Sequence, residues 1–304
     1  MKLVRNAFFA FAAQAAAAVA VLGGAGQAHA LSLTLSVTGE HDVAKTWSFG
    51  GSCQHCELSG RKLIGASFTG ANFDHATLIG ADLRGSVLLG SIFTHSNFSR
   101  ADLRNAQMVG GQFVDAVFTS ARLDGIEAQG AYFTRADLSR AQLSEASLTG
   151  AKFTGAVMIK THINDSDLEY ADLSLVNAAG LVAHDANLTG ANLSGGTFTG
   201  ADFHDASLSY AVLRKANFNG ADFRDANLGS ADIRGVDLSG VRNLTQEQID
   251  EACADRTTQL PRGLSVQHSC QKVIVIRHGS RPPAAPAAPA APAAPRYLVA
   301  GEHH

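Results

Sequence analysis

Most of the features that announce an enzyme or a nucleic-acid binder are scarce or missing in this sequence. Aromatic residues make up only 7% of it, with one Trp and four Tyr. Charged residues are 17%, and a net charge of -3 is too small to point to nucleic acid or a membrane surface. No nucleophile elbow, phosphate loop or dinucleotide fingerprint occurs, so the commonest catalytic and nucleotide-binding motifs are excluded. Cysteine is limited to Cys53, Cys56, Cys253 and Cys270. What is plentiful is small: 30 Gly and many Ala.

The N-terminus reads as an export signal. Lys2 and Arg5 form a basic start, Ala7 to Leu22 is apolar apart from Gln14, and Ala28-His29-Ala30 supplies the small residues of a cleavage site after Ala30. The other reading, a membrane anchor, needs a span of ~20 apolar residues, and this run is short for that. Export predicts a periplasmic or secreted protein, with no stable membrane insertion after cleavage. In an oxidising compartment an even number of cysteines suggests disulfides, and spacing favours Cys53–Cys56 and Cys253–Cys270.

From Leu58 to Leu238 every fifth residue is Leu, Phe, Ile or Met, except Ala128, Ala178 and Ala183. Two residues before most of these centres stands a small residue, usually Ala, as in Ala81-Asp82-Leu83-Arg84-Gly85 and Ala221-Asp222-Phe223-Arg224-Asp225. A period of five fits neither a helix nor a strand. It fits a chain that turns a corner every five residues with one large and one small side chain inward, which is the signature of a solenoid. Phe73, Phe93, Phe113, Phe133 and Phe153 recur every 20 residues, so four units make one coil and these rings form a column. Where the centre shrinks to Ala, the small slot grows to Ile126, Val176 or Leu181. That exchange conserves volume in a shared core.

The pattern A-[DN]-[LF]-x-G resembles the pentapeptide-repeat family over residues 56–242. The resemblance implies an all-β fold, a right-handed quadrilateral β-helix, here of about nine coils and a rod roughly 45 Å long. It also implies action through surfaces, since a few family members resemble DNA and bind topoisomerase. Without a dense acidic stripe, and with export, a DNA-mimic topoisomerase modulator is the third-ranked reading.

The ends read as covers for the open edges of a solenoid. The expected organisation is a signal peptide at 1–30, an N-terminal cap at 31–55, the repeat block at 56–242, a C-terminal cap at 243–278 and a Pro/Ala-rich tail at 279–304. Leu31, Leu33, Leu35 and Val37 alternate like a strand, with Trp47 and Phe49 following. Thr245-Gln246-Glu247-Gln248 is a capping box that opens a short helix with Ile249, Ala252 and Cys253 on one face. Val273 to Ile276 suits a short strand. Pro282 to Pro295 is an extended or flexible spacer.

Two features invite chemistry. Cys53-Gln54-His55-Cys56 is a C-x-x-C, read here as a staple of the first coil instead of a redox pair, because both cysteines fall on inward positions. His55, His75, His95 and Asp115 are spaced by 20 and are followed by Arg135, so they share one outer column. Neighbouring imidazoles there could share a transition metal or charge together in mild acid, or simply stack in solvent. The leading expectation is a non-enzymatic exported scaffold or interaction module without cofactor. Its expected partners are a protein or envelope component and a second copy of the rod, not nucleic acid. A metal-binding surface on the histidine column is the alternative.

Overall fold

A computed structural model describes residues 51–267 of the protein. The expected signal peptide, most of the expected N-terminal cap, Cys270, the 273–276 segment and the Pro/Ala tail lie outside them.

The five backbone N–H groups of one repeat explain the architecture. In Ala81 to Gly85, the N–H of Ala81 donates to the carbonyl of Leu78 at 3.0 Å, closing a tight turn. Asp82 donates back one coil to Arg61 at 2.9 Å, while Leu83 and Gly85 donate forward to Asp102 and Arg104 at 2.7 and 2.9 Å. Only the N–H of Arg84 lacks a backbone acceptor, and the Asp82 carboxylate takes it at 3.4 Å. Elsewhere Asn72, Asn97, Asp137 and Asn192 serve the residue two positions on in the same way. Buried or half-buried donors must find partners, and Asp and Asn bond readily to the backbone two residues ahead. This is the physical content of the Asp/Asn preference before each centre.

Parallel bridges link each residue at this position to the one 20 residues later, from Ser52↔Asn72 to Asp222↔Arg242. Each side of the coil is so short that it contributes a single bridge residue between turns. Every fifth residue from His55 to Gly235 has a positive φ near 60°. The turn between sides therefore has φ > 0 at its third residue, as a type II turn does. Gly fits there without cost, and many corners are Gly. The remainder are L-residues held in the left-handed region, which Asn, Asp and His tolerate best.

Inside, the centres and small slots form one continuous core. Phe73, Phe93, Phe113, Phe133 and Phe153 stack with centroids 5.1, 5.9, 5.2 and 5.1 Å apart. Phe98 and Phe118 form a second stack on the neighbouring side, edge-on to the first. Ala128, Ala178 and Ala183 are buried together with Ile126, Val176 and Leu181. Volume is also conserved in the other sense. At Gly111 and Gly196 the small slot is empty of a side chain, and the ring of Phe113 or Phe198 occupies the space where a Cβ would lie, 2.6 Å from the ring edge.

After the last Δ20 bridge the chain forms α1, Gln246–Glu251, with Thr245 as N-cap and a reciprocal bond from Gln248. The buried Gln248 side chain donates to the carbonyls of Phe223 and Ala226 at 2.8 and 2.7 Å, which otherwise end the ladder. Bridges then resume with a shifted register, Asp232↔Cys253 and Asp237↔Gln259. Ile249, Ala252 and Cys253 are buried, and Leu260 and Leu264 pack on the same core. Among the described residues no helix is long and apolar enough to cross a membrane.

Candidate functional site

The outer surface is built from three positions per repeat: the bridge residue, the turn residue and the left-handed corner. Along the faces, opposite charges meet within a coil or across one. Asp102 accepts two bonds from the Arg104 guanidinium, at 2.8 and 2.6 Å, and lies 3.9 Å from both Arg84 and Arg122. The Arg104 hydrogen bonds hold its carboxyl below the ordinary range, against a smaller upward pull from burial. Asp232 is held by two arginines, Arg214 at 2.6 Å and Arg234 at 2.7 Å.

The corner column is the most concentrated chemistry. His55, His75 and His95 sit at consecutive left-handed corners, with ring centroids 5.0 and 4.5 Å apart. The histidine side chains do not face one another alone. Nδ1 of His75 lies 3.0 Å from one oxygen of Asp74, and Nδ1 of His95 lies 3.3 Å from the other. Slight burial pushes the Asp74 carboxyl up, but the hydrogen bonds and charge of His75 and His95 bring it below its ordinary value.

The atoms close enough to hold one ion are therefore those of Asp74, His75 and His95, within 4.8 Å of one another. His55 lies beside His75 with its ring tilted by 33°, but is not among them. Asp115 is also outside this set. Its carboxylate accepts a two-point bond from Arg135, at 2.8 and 2.6 Å, which holds its pKa down, and it stands 3.7 Å from Nε2 of His95. The 20-residue arithmetic relates only residues at the same phase of the repeat, so it could not bring in Asp74, one position earlier. Its adjacency to His75 in sequence was the available signal.

Other corners carry different chemistry. Glu145, Asp165, Asp185, Asp205 and Asp225 follow one another on a single corner, all exposed, so the surface does carry one acidic stripe, contrary to the expectation of none. Within it His204 lies 3.3 Å from Asp205 and 3.9 Å from Asp225. One coil earlier, at the position equivalent to His204, His184 is bound instead to Asp202 at 2.7 Å. Tyr170, Leu175 and Tyr210 are exposed apolar corners.

Cys53 and Cys56 are joined by a disulfide, Cα atoms 5.5 Å apart, and pack against the core at the start of the described coils. Cys253 is disulfide-bonded as well; Cys270, its expected partner, lies outside the described residues.

The sequence profile of pentapeptide repeats matches the chain in eight copies that together run from residue 52 to 240. No curated protein sequence matches it. Among solved structures it is similar to HetL of the cyanobacterium Nostoc, a pentapeptide repeat protein involved in heterocyst differentiation regulation. That likeness is 26% identical, covers 69% of this chain and 91% of HetL, and has a TM-score of 0.39. It is also similar to QnrB1, a plasmid-mediated fluoroquinolone resistance protein, at 22% identity over 68% and 93% of the two chains, TM-score 0.30. A pentapeptide repeat protein of the Arabidopsis thaliana thylakoid lumen is 30% identical over 35% and 67%, TM-score 0.15. The repeat match spans well over half of the sequence, and the chain belongs to the pentapeptide-repeat family, whose members fold as right-handed quadrilateral β-helices.

Proposed function

We propose that the protein is a non-enzymatic exported scaffold that presents the flat faces of its β-solenoid to a protein or envelope partner. The observation that carries this reading is the unbroken register. From Ser52 to Arg242 no repeat gains or loses a residue, so no loop leaves the coil to build a cleft. Function on repeat scaffolds that lack such loops falls to the surface itself. Members of this family act in general as structural or interaction modules.

The rod has about nine coils, and at ~4.8 Å per coil it is roughly 45 Å long. α1 and the segment behind it cover the C-terminal edge, which keeps rods from polymerising through it, and the Cys53–Cys56 staple secures the first coil. Cleavage after Ala30 releases the protein into the periplasm or medium. The domain limits are those of the sequence reading, with the repeat block at 56–242 and the Pro/Ala tail acting as a spacer.

The test is crosslinking in the native compartment followed by identification of the captured chains. A single envelope protein or a second copy of the rod, captured through face residues, supports the reading. No enriched chain with the faces intact overturns it.

A further inference from the structure

We propose that Asp74, His75 and His95 form a binding site for one divalent transition-metal ion, with Asp115 as a positioning residue. The first argument is geometric. An ion bound to imidazole and carboxylate at about 2.1 Å brings its donor atoms roughly 3.0–3.4 Å apart. The Asp74 oxygens already stand 3.0 Å from Nδ1 of His75 and 3.3 Å from Nδ1 of His95. One donor atom from each of the three residues lies within 4.8 Å of the other two, so a modest closing of the side chains around an ion completes the set. The backbone holds them near: both histidines sit at rigid left-handed corners of adjacent coils, and Asp74 follows the buried Phe73.

The second argument is the surround. When Nδ1 binds a metal, the ring proton moves to Nε2 and wants an acceptor, and such outer partners orient the ligand and raise its basicity. Nε2 of His95 faces the Asp115 carboxylate at 3.7 Å, and Asp115 is fixed in turn by the two-point bond from Arg135. The column His95–Asp115–Arg135 is thus the supporting chain of the site. The donor set decides the class of ion. Two imidazoles and one carboxylate suit copper(II), nickel(II) and zinc(II) in preference to calcium or magnesium, which take oxygen ligands. The His204–Asp205–Asp225 group offers one imidazole and two carboxylates, with longer distances of 3.3 and 3.9 Å, and provides an internal comparison.

The test is titration calorimetry of the untagged full chain with zinc chloride, repeated on variants. His75→Gly and His95→Gly are the informative ones. Gly occupies the same corner column at Gly155 and Gly195, so the fold accepts it; thermal melts verify this. Each is expected to weaken zinc binding at least tenfold. Asp115→Asn is expected to weaken it about 10–100-fold, and His204→Gly to leave it unchanged. Absence of zinc binding by the parent chain overturns the proposal. So does binding that survives the His75→Gly/His95→Gly pair, because the ion then sits elsewhere, as on His303 and His304. Unchanged affinity in Asp115→Asn removes Asp115 from the account.

Discussion

His75 and His95 stand one coil apart, 4.5 Å between ring centroids, and hold opposite oxygens of the same Asp74 carboxylate. Twenty residues of chain separate them, yet the coil returns them to adjacent corners. The same geometry that stacks phenylalanines in the core stacks polar groups outside. A solenoid of this kind therefore turns a sequence period into a surface array, and any chemistry placed at one phase is repeated at contact distance.

The interior stack makes a graded prediction. Phe113 is fully buried between Phe93 and Phe133. Phe113→Ala should cost about 3–5 kcal/mol, the usual range for emptying a packed aromatic site. Phe113→Leu should cost no more than about 2 kcal/mol, since Leu fills the same column at Leu173 and Leu193, and only the ring stacking and some volume are lost. Urea unfolding followed by circular dichroism measures both. Equal costs would mean that the column does not hold the core.

Gly111 should resist a change that looks harmless. Ala is the normal small-slot residue, but here its Cβ would meet the ring of Phe113 at 2.6 Å and the carbonyl of Met108 at 3.0 Å. Gly111→Ala is expected to destabilise by about 1–3 kcal/mol. Adding Phe113→Leu recreates the Ala–Leu pair of Ala81 and Leu83, so the double variant should be more stable than the sum of the two single changes predicts. Simple additivity in urea unfolding would contradict this reading of the ring's position.

Two buried hydroxyls should respond oppositely. Ser86 Oγ is buried without a hydrogen-bond partner, whereas Ser96 Oγ donates to Phe73 O at 2.7 Å and accepts from Ala76 N at 3.1 Å. Ser86→Ala removes an unpaid desolvation penalty and should stabilise by about 1 kcal/mol, while Ser96→Ala should cost about 1 kcal/mol. Melting temperatures rising in the first and falling in the second are the expected result.

Acid should act through Asp232. Burial raises its carboxyl, but the hydrogen bonds and charge of Arg234, with Arg214 behind, more than offset this and hold it below its ordinary value. A carboxyl depressed in the folded state binds its proton more readily when unfolded. Its contribution is complete above the unfolded value near 4 and disappears as pH falls through the lower folded value. Asp232→Asn should therefore lower stability on the order of 1 kcal/mol at pH 7, and the gap between the two proteins should close in acid, once the pH has fallen below the lowered folded value. A gap that stays constant into acid would assign the effect to packing.

Much of the tube was legible because its cause is periodic. Phe73 to Phe153 recur at 20 residues, and the exchange of Ala128 with Ile126 exposed the shared interior. The capping box at Thr245 was equally plain, because it is a local signature. What escaped involves the diagonal direction. Asp74 joins His75 and His95 across a corner, from a different phase of the repeat. The neighbourhood of Asp115 and Arg135 was legible from their spacing of 20; only the two-point form of their bond was not. The tight fit of Phe113 over Gly111 depends on a ring orientation that composition cannot supply. The role of Asp and Asn before each centre emerges only when all five N–H groups of a repeat are given their acceptors.

The most direct test of the coil itself is disulfide trapping between neighbouring bridge positions. Asn97 and Val117 pair across adjacent coils, and Arg122 lies on the next side. Mild oxidation of Asn97→Cys/Val117→Cys should give an intramolecular crosslink, identified by mass spectrometry, while Asn97→Cys/Arg122→Cys should stay reduced. A crosslink at 25 residues in place of 20, or none at 20, would contradict the four-sided coil.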